Sequence, residues 1–132
     1  MSARSVSDSS GVRAVDDRLF AVSMVAIVLL CVMDVVTTFS GISISRRHCR
    51  VYEANPVVRQ MLAERPLDWV AIKIGGGCII AVCLYLARKL ARMYGLRTMD
   101  SICTAVTILL LIWGTIVVVN NILLSTVCLL LP

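Results

Sequence analysis

The chain is poor in charge, in aromatic side chains and in histidine. Charged residues make up 16% of its 132 residues and aromatic residues 5%, and His48 is the single histidine. No stretch alternates basic with aromatic side chains as a nucleic-acid surface does, so no nucleic-acid partner is expected. The cysteines show no CxxC or Cys/His spacing, which leaves zinc and redox motifs without support, and no metal site is predicted.

Apolar residues dominate the chain instead. They make up 59% of it, and the mean hydropathy is +0.91, whereas an average globular domain is ~45–50% apolar. Most of the charges lie in or beside the N-terminal segment and two short connections, as multi-pass insertion requires. We predict an all-α integral membrane protein with three transmembrane helices, at about 19–40, 67–88 and 102–128. Each run supplies the ~20 residues that a span needs.

The segments outside these spans differ in character. Residues 1–17 are serine-rich and mixed in charge, which predicts a disordered tail ahead of one helical membrane domain over 18–132. The first apolar run is too long for a cleavable signal peptide, whose apolar core has ~7–15 residues. A short interfacial helix is predicted in the first connection, at about 55–65. Asn55 suits its N-cap and Pro56 its first helical position.

The basic residues favour one orientation in the membrane. With three spans, the tail and the second connection lie on one side, with seven basic residues against five in the first connection. Because basic residues are enriched in cytoplasmic loops, the N-terminus is predicted to be cytoplasmic, in a cell membrane. The residues counted on the two sides are Arg4, Arg13, Arg18, Arg88, Lys89, Arg92 and Arg97, against Arg46, Arg47, Arg50, Arg59 and Arg65. Those that cluster beside the apolar runs, at 46–50 and 88–97, are interpreted as headgroup contacts.

An acid stands inside the first predicted span. Asp34 lies fifteen residues beyond Leu19, about 22 Å along a helix and therefore roughly 8 Å below the far surface of a ~30 Å core. Lys73 lies six residues into the returning second span, about 9 Å below that same surface. Because an isolated charge in hydrocarbon costs several kcal/mol, we predict that the two side chains pair. Thr37 and Thr38 share the helix face of Asp34.

Further polar residues are predicted at the same membrane level. Glu53 and Asn55 lie in the first connection, which covers this end of the spans. Asn120, beside Asn121, lies about 28 Å along the third span if that span begins near Ser101. We therefore predict one polar binding cluster drawn from all three spans and the connection. Its members are Asp34, Thr37, Thr38, Glu53, Asn55, Lys73 and Asn120.

Each member also has a purely structural interpretation. The Asp34–Lys73 pair would fix helix register and topology without binding anything. Threonine hydroxyls inside helices commonly bond to carbonyls of their own helix, and an asparagine often bridges two helices in a membrane. The cysteines in or beside the apolar runs are interpreted as small hydrophobes. A Cys49–Cys128 bridge, which requires an oxidising side, is the less favoured alternative.

The order of these polar motifs resembles a known family. D-x-x-T-T (Asp34, Thr37, Thr38) is followed by E-x-N-P (Glu53, Asn55, Pro56), by Lys73 and by Asn120 or Asn121. Over roughly residues 20 to 125 this set is similar to the small multi-pass membrane proteins grouped as DUF5658, a domain of unknown function. The resemblance implies a compact helical membrane domain and treats the polar set as one unit. It implies no activity.

Several functions are compatible with such a cluster. The favoured hypothesis is an accessory or binding protein whose cluster takes a lipid headgroup, an ion or a helix of a membrane-protein partner or of a second copy of the chain. The first alternative is an enzyme at the membrane surface, with Asp34 or Glu53 as general base and Lys73 neutralising a developing charge. The second is a holin-like, pore-forming protein, although the apolar C-terminus is not the charged tail that such proteins usually carry.

Overall fold

The computed structural model describes the backbone of residues 5–48 and 56–130, and the side chains of 15–44 and 56–130. Four helices make up these ranges, with no strand among them: α1 Ser5–His48, α2 Pro56–Glu64, α3 Pro66–Met93 and α4 Arg97–Leu130. The predicted all-α class, with three long apolar helices and a short one between the first two, is confirmed. Glu53 and Asn55 lie outside the described residues.

Three of the helices have the length and composition to cross a bilayer. They are the described part of α1 over Val15–Ile44, α3 over Pro66–Met93 and α4 over Arg97–Leu130. All three exceed the ~20 residues that a span requires. Each also begins before and ends after its predicted boundaries. The short helix α2 has nine residues, none of them buried.

The first helix starts earlier than the sequence suggests. Its first residue is Ser5. Residues 5–17 are therefore helical, although their composition predicts a disordered tail. Asp16 and Asp17 contact Arg88 and Arg92 of α3 through ion pairs. These contacts hold this part of α1 against α3. The composition of the segment does not reveal them.

Helix α1 is the centre of the bundle. It packs most extensively on α4, then on α3, whereas α3 and α4 touch each other less and α2 packs on α3. Phe20, Met24 and Ile27 recur every three or four residues on one face of α1 and form a core with Ala81 of α3. Most outward-facing apolar side chains are exposed, which is the surface that a lipid environment covers.

The α3–α4 reversal is built on one glycine. Gly95 has φ +68, the one positive φ among the described residues. The amide of Leu96 donates to the carbonyl of Ala91 at 2.8 Å, and the amide of Gly95 donates to that of Arg92 at 3.3 Å. This is the Schellman arrangement, which ends a helix and turns the chain. It returns α4 alongside α3 within three residues.

Two other glycines allow α1 to approach its neighbours closely. A Cβ on Gly77 of α3 would lie 2.6 Å from Sγ of Cys31, and one on Gly114 of α4 would lie 3.2 Å from a methyl carbon of Leu30. Small residues at helix contacts have this role in membranes, where packing replaces the hydrophobic effect. Of the glycine triplet 75–77, only Gly77 is in such contact, because nothing lies within 4 Å of a Cβ on Gly75 or Gly76.

The five cysteines in the part of the chain that the structure describes fall into two groups. Four of them are free thiols on the spanning helices: Cys31, Cys78, Cys83 and Cys103. Cys128 is buried near the end of α4 and is disulfide-bonded. Cys49, the other cysteine of the less favoured bridge, lies outside the described residues. The interpretation of Cys128 as a small hydrophobe is therefore wrong.

We expect Gly77→Ala to lower the free energy of unfolding by about 1–3 kcal/mol, because the added methyl group overpacks the contact with Cys31. The matched control is Gly76→Ala, which meets open space and should stabilise the helix by roughly 0.5–1 kcal/mol. Reversible unfolding in mild detergent measures both. Equal stability of the two variants would show that α1 and α3 are not in close contact at Gly77.

Candidate functional site

An ion pair lies at the centre of the candidate site. Nζ of Lys73 on α3 is 2.7 Å from Oδ2 of Asp34 on α1. The Asp34 side chain is 10% exposed and that of Lys73 is 42% exposed. The acid is therefore held between helices, while the Lys73 side chain is partly exposed at the surface of the bundle.

The second carboxylate oxygen of Asp34 is also occupied. Nδ2 of Asn121 on α4 donates to Oδ1 at 2.9 Å, and the hydroxyl of Thr38 donates to the same oxygen at 3.5 Å. The same amide nitrogen lies 3.4 Å from Oγ1 of Thr37 and 3.3 Å from Oγ1 of Thr38. Asp34 thus receives donors from all three long helices, and both oxygens of this buried carboxylate are hydrogen-bonded in an apolar environment.

Thr37 has a mainly local role. Its hydroxyl donates to the backbone carbonyl of Asp34 at 3.2 Å. This is the own-helix bond that the sequence analysis raises as the structural alternative for the threonines. Thr38 reaches the carboxylate instead, since it lies four residues beyond Asp34 and therefore directly above it on the helix.

The asparagine of the site is Asn121, not Asn120. Asn121 is half-buried and bonds to Asp34, whereas Asn120 is exposed on the outer side of α4. Consecutive residues point about 100° apart on a helix of 3.6 residues per turn. The rise per residue gives the depth of Asn120 and Asn121 along the helix but not the direction in which each side chain points. Depth alone therefore does not separate Asn120 from Asn121.

Glu53 and Asn55 were predicted members of the site, and both lie outside the described residues. The next residue, Pro56, begins α2, as the sequence predicts for a proline at the first helical position. The contribution of the first connection to the cluster stays a prediction.

Below the ion pair lies an apolar cleft of about 280 Å³. Its floor is α1 and its walls are α3 and α4, which contact each other less than either contacts α1. Gly77 and Gly114 line the cleft at the points where α3 and α4 approach α1 closely. From the level of Asp34 the cleft extends about two helical turns, or ~10 Å, to Ile27. Its other lining residues are Leu30, Cys31, Ile72, Lys73, Ile80, Leu110, Trp113 and Val117.

A second polar cluster lies at the opposite end of the bundle. Arg88 of α3 is 5% exposed and contacts Asp100 of α4 at 2.7 Å and Asp16 of α1 at 2.8 Å. Its guanidinium group lies 4.0 Å from the ring centroid of Phe20. Arg92 contacts the same two acids and also Asp17. The cluster joins the three long helices.

Sequence reasoning missed this second cluster. Arg88 and Arg92 were interpreted as headgroup contacts, and Asp16 and Asp17 were assigned to a disordered tail. A usable signal was present, because the depth estimate made for Asp34 and Lys73 also places Asp16 and Arg88 at one level. Arg88 and Arg92, four residues apart, share a face that two such acids would neutralise.

The adjacent asparagines provide a matched pair of variants. We expect Asn121→Ala to lower the free energy of unfolding by about 0.6–2 kcal/mol, because Asp34 loses the amide that donates to its Oδ1 at 2.9 Å. Asn120→Ala, at an exposed position with no contact to Asp34, should have no measurable effect. Thermal unfolding of both variants in the same detergent tests this. A larger loss for Asn120→Ala would contradict the assigned rotation of α4.

Comparison with known proteins supports the family assignment. Residues 25–127 match the model of DUF5658, described as a domain of unknown function. The match includes Asp34, Lys73 and Asn121 but begins after Asp16 and Phe20 of the second cluster. No curated protein and no solved structure matches the chain. Since the match covers well over half of the sequence, the chain belongs to the DUF5658 family, with three apolar helices suited to a membrane.

Proposed function

We propose that this protein binds one lipid-like amphiphile, with the polar headgroup on Lys73 and an apolar chain in the cleft below it. The single observation that carries the proposal is the position of Lys73, a partly exposed cation at one end of an apolar cleft. An amphiphile has the same two parts in the same order. The headgroup level lies near the membrane surface, and the cleft extends toward the membrane centre.

The chemistry of the headgroup follows from the donors that remain. An ammonium group has three N–H donors, and Lys73 directs one of them to Asp34. The described residues offer it no other carboxylate within 4 Å. A phosphate or carboxylate oxygen of a headgroup can therefore accept from Lys73 without displacing Asp34. The pair of Asp34 and Lys73 has no net charge, so the bound group adds its own charge to a neutral site.

The size of the cleft favours a lipid chain over the other ligands considered. An α-helix is about 10–12 Å in diameter with its side chains. Over the length of the cleft, such a helix occupies more than the cleft volume of about 280 Å³. A partner helix would therefore lie across the cleft without entering it. A cation is disfavoured because Lys73 already supplies the positive charge beside Asp34. Within the described ranges, no group of three His, Cys, Asp or Glu side chains is placed to hold a metal ion.

The enzymatic alternative is less well supported by the geometry. A general base needs an acceptor position that can reach a proton of the substrate. A carboxylate has about four acceptor positions, and three donors, from Lys73, Asn121 and Thr38, already reach Asp34. Glu53, the other candidate base, lies outside the described residues. We therefore favour binding, with Asp34 as the positioning residue that holds Lys73.

The proposal includes an orientation in the membrane, with the N-terminus in the cytoplasm. The excess of basic residues in the tail and the second connection supports it. The disulfide at Cys128 also supports it, because disulfides persist mainly on oxidising sides of membranes. Three spans carry that end of α4 to the side opposite the N-terminus.

Native mass spectrometry of the protein in mild detergent tests the binding function. We expect the wild-type protein to retain one lipid-sized ligand, and Lys73→Met and Ile80→Trp to lose it, the first by removing the headgroup donor and the second by filling the cleft. Ile79→Trp is the control, since Ile79 is exposed and does not line the cleft. Retention of the ligand by both cleft variants would contradict the proposal. A stoichiometric protein partner in its place would indicate an accessory subunit.

Reporter fusions test the orientation. An enzyme that needs disulfide formation should be active when fused after the C-terminus and inactive when fused before the N-terminus, because only the first would reach the oxidising side. The opposite pattern of activity would invert the assigned topology.

A further inference from the structure

A second cleft, of about 390 Å³, lies at the other end of the bundle, between α1 and α3. Its lining combines cations with aromatic and apolar side chains. The members are Asp17, Phe20, Tyr85, Arg88, Lys89, Arg92 and Met93. It lies near the end of α3, at the opposite membrane surface from the Asp34–Lys73 pair.

The charges are not evenly distributed around this cleft. Three cationic side chains line it against the single carboxylate of Asp17, which is paired with Arg92. The other acids of the cluster, Asp16 and Asp100, line a neighbouring hollow together with Asp17. Both acids pair with the arginines, but neither lines the cleft. The side chains that line the cleft therefore carry three positive charges against one negative charge.

Two donors face the cleft without a carboxylate partner among the described residues. Lys89 is exposed and has no acid within 4 Å in that part of the chain. Arg88 uses Nε for Asp100 and Nη2 for Asp16, which leaves Nη1 outside both ion pairs. The guanidinium group is fixed by these bonds and by the ring of Phe20. Its orientation therefore requires no further ordering when an anion binds.

The apolar side of the cleft suits the rest of a lipid. Tyr85 lies one turn from Lys89 toward the membrane centre, and its ring is partly exposed. Tyrosine is enriched at this depth because its ring is apolar and its hydroxyl is polar. A phosphate held at Lys89 would place its glycerol and first chain carbons along Tyr85 and Phe20.

We propose that this cleft binds the phosphate of an anionic phospholipid in the leaflet opposite to the first site. Basic pockets between transmembrane helices are suited to such headgroups. The inference does not depend on a ligand at Lys73, since the two clefts share no lining residue.

The experiment is a titration of the full chain in mild detergent with phosphatidylglycerol or phosphatidylcholine, followed by native mass spectrometry. We expect the wild-type protein to prefer phosphatidylglycerol, and Lys89→Gln to lower that affinity about fivefold, as loss of one cation at a membrane surface would. Lys89→Glu should lower it further. Because Lys89 is exposed and unpaired with any described acid, both variants should unfold at the wild-type temperature.

One control separates the cleft from other sources of binding. Arg97→Gln removes one exposed cation at the same end of the protein but outside this cleft. It should not change the preference for phosphatidylglycerol. An unchanged affinity in both Lys89 variants, or an equal loss in Arg97→Gln, would overturn the proposal. Displacement of the lipid by excess inorganic phosphate would also overturn it, and would assign the cleft to free phosphate.

Discussion

The arrangement of the three long helices depends on the carboxylate of Asp34. A charge at this depth is unfavourable in hydrocarbon unless other groups of the protein neutralise and hydrogen-bond it. Lys73 from α3 and Asn121 from α4 do so at 2.7 and 2.9 Å. Any rotation or sliding of α3 or α4 relative to α1 would break one of these contacts. One side chain thus specifies the register of both neighbouring helices, which apolar packing alone does weakly in a membrane.

The opposite end of the bundle applies the same constraint with the signs exchanged. There a buried cation, Arg88 of α3, collects acids from α1 and α4. Between the two polar ends, Gly77 and Gly114 bring the helices close to α1. The bundle is therefore fixed by ion pairs at both ends, with close helix contacts between them. A cleft with an exposed lysine in its lining lies beside each set of ion pairs.

The sequence predicted the class of fold and the pairing of Asp34 with Lys73, because both depend on one-dimensional quantities. Apolar run length sets the spans, and the rise per residue places Asp34 and Lys73 at one level. It did not predict the rotation of α4, which decides between Asn120 and Asn121. It also failed at the second cluster, because the tail was judged by composition without regard to the arginines that Asp16 and Asp17 face. Both errors concern contacts between helices. In an almost uniformly apolar span, the periodicity of the sequence gives little indication of which face contacts a neighbouring helix.

The most direct test of this account is a double-mutant cycle on Asp34 and Lys73. The unfolding free energies of Asp34→Asn, Lys73→Met and the double variant would be measured in one detergent. The account predicts that Lys73→Met costs about 2–3 kcal/mol in the wild-type background, because it leaves the acid unpaired. The same change should cost little once Asp34 is asparagine. An equal cost in both backgrounds would mean that the two charges do not interact, and that the helices are held in register by something else.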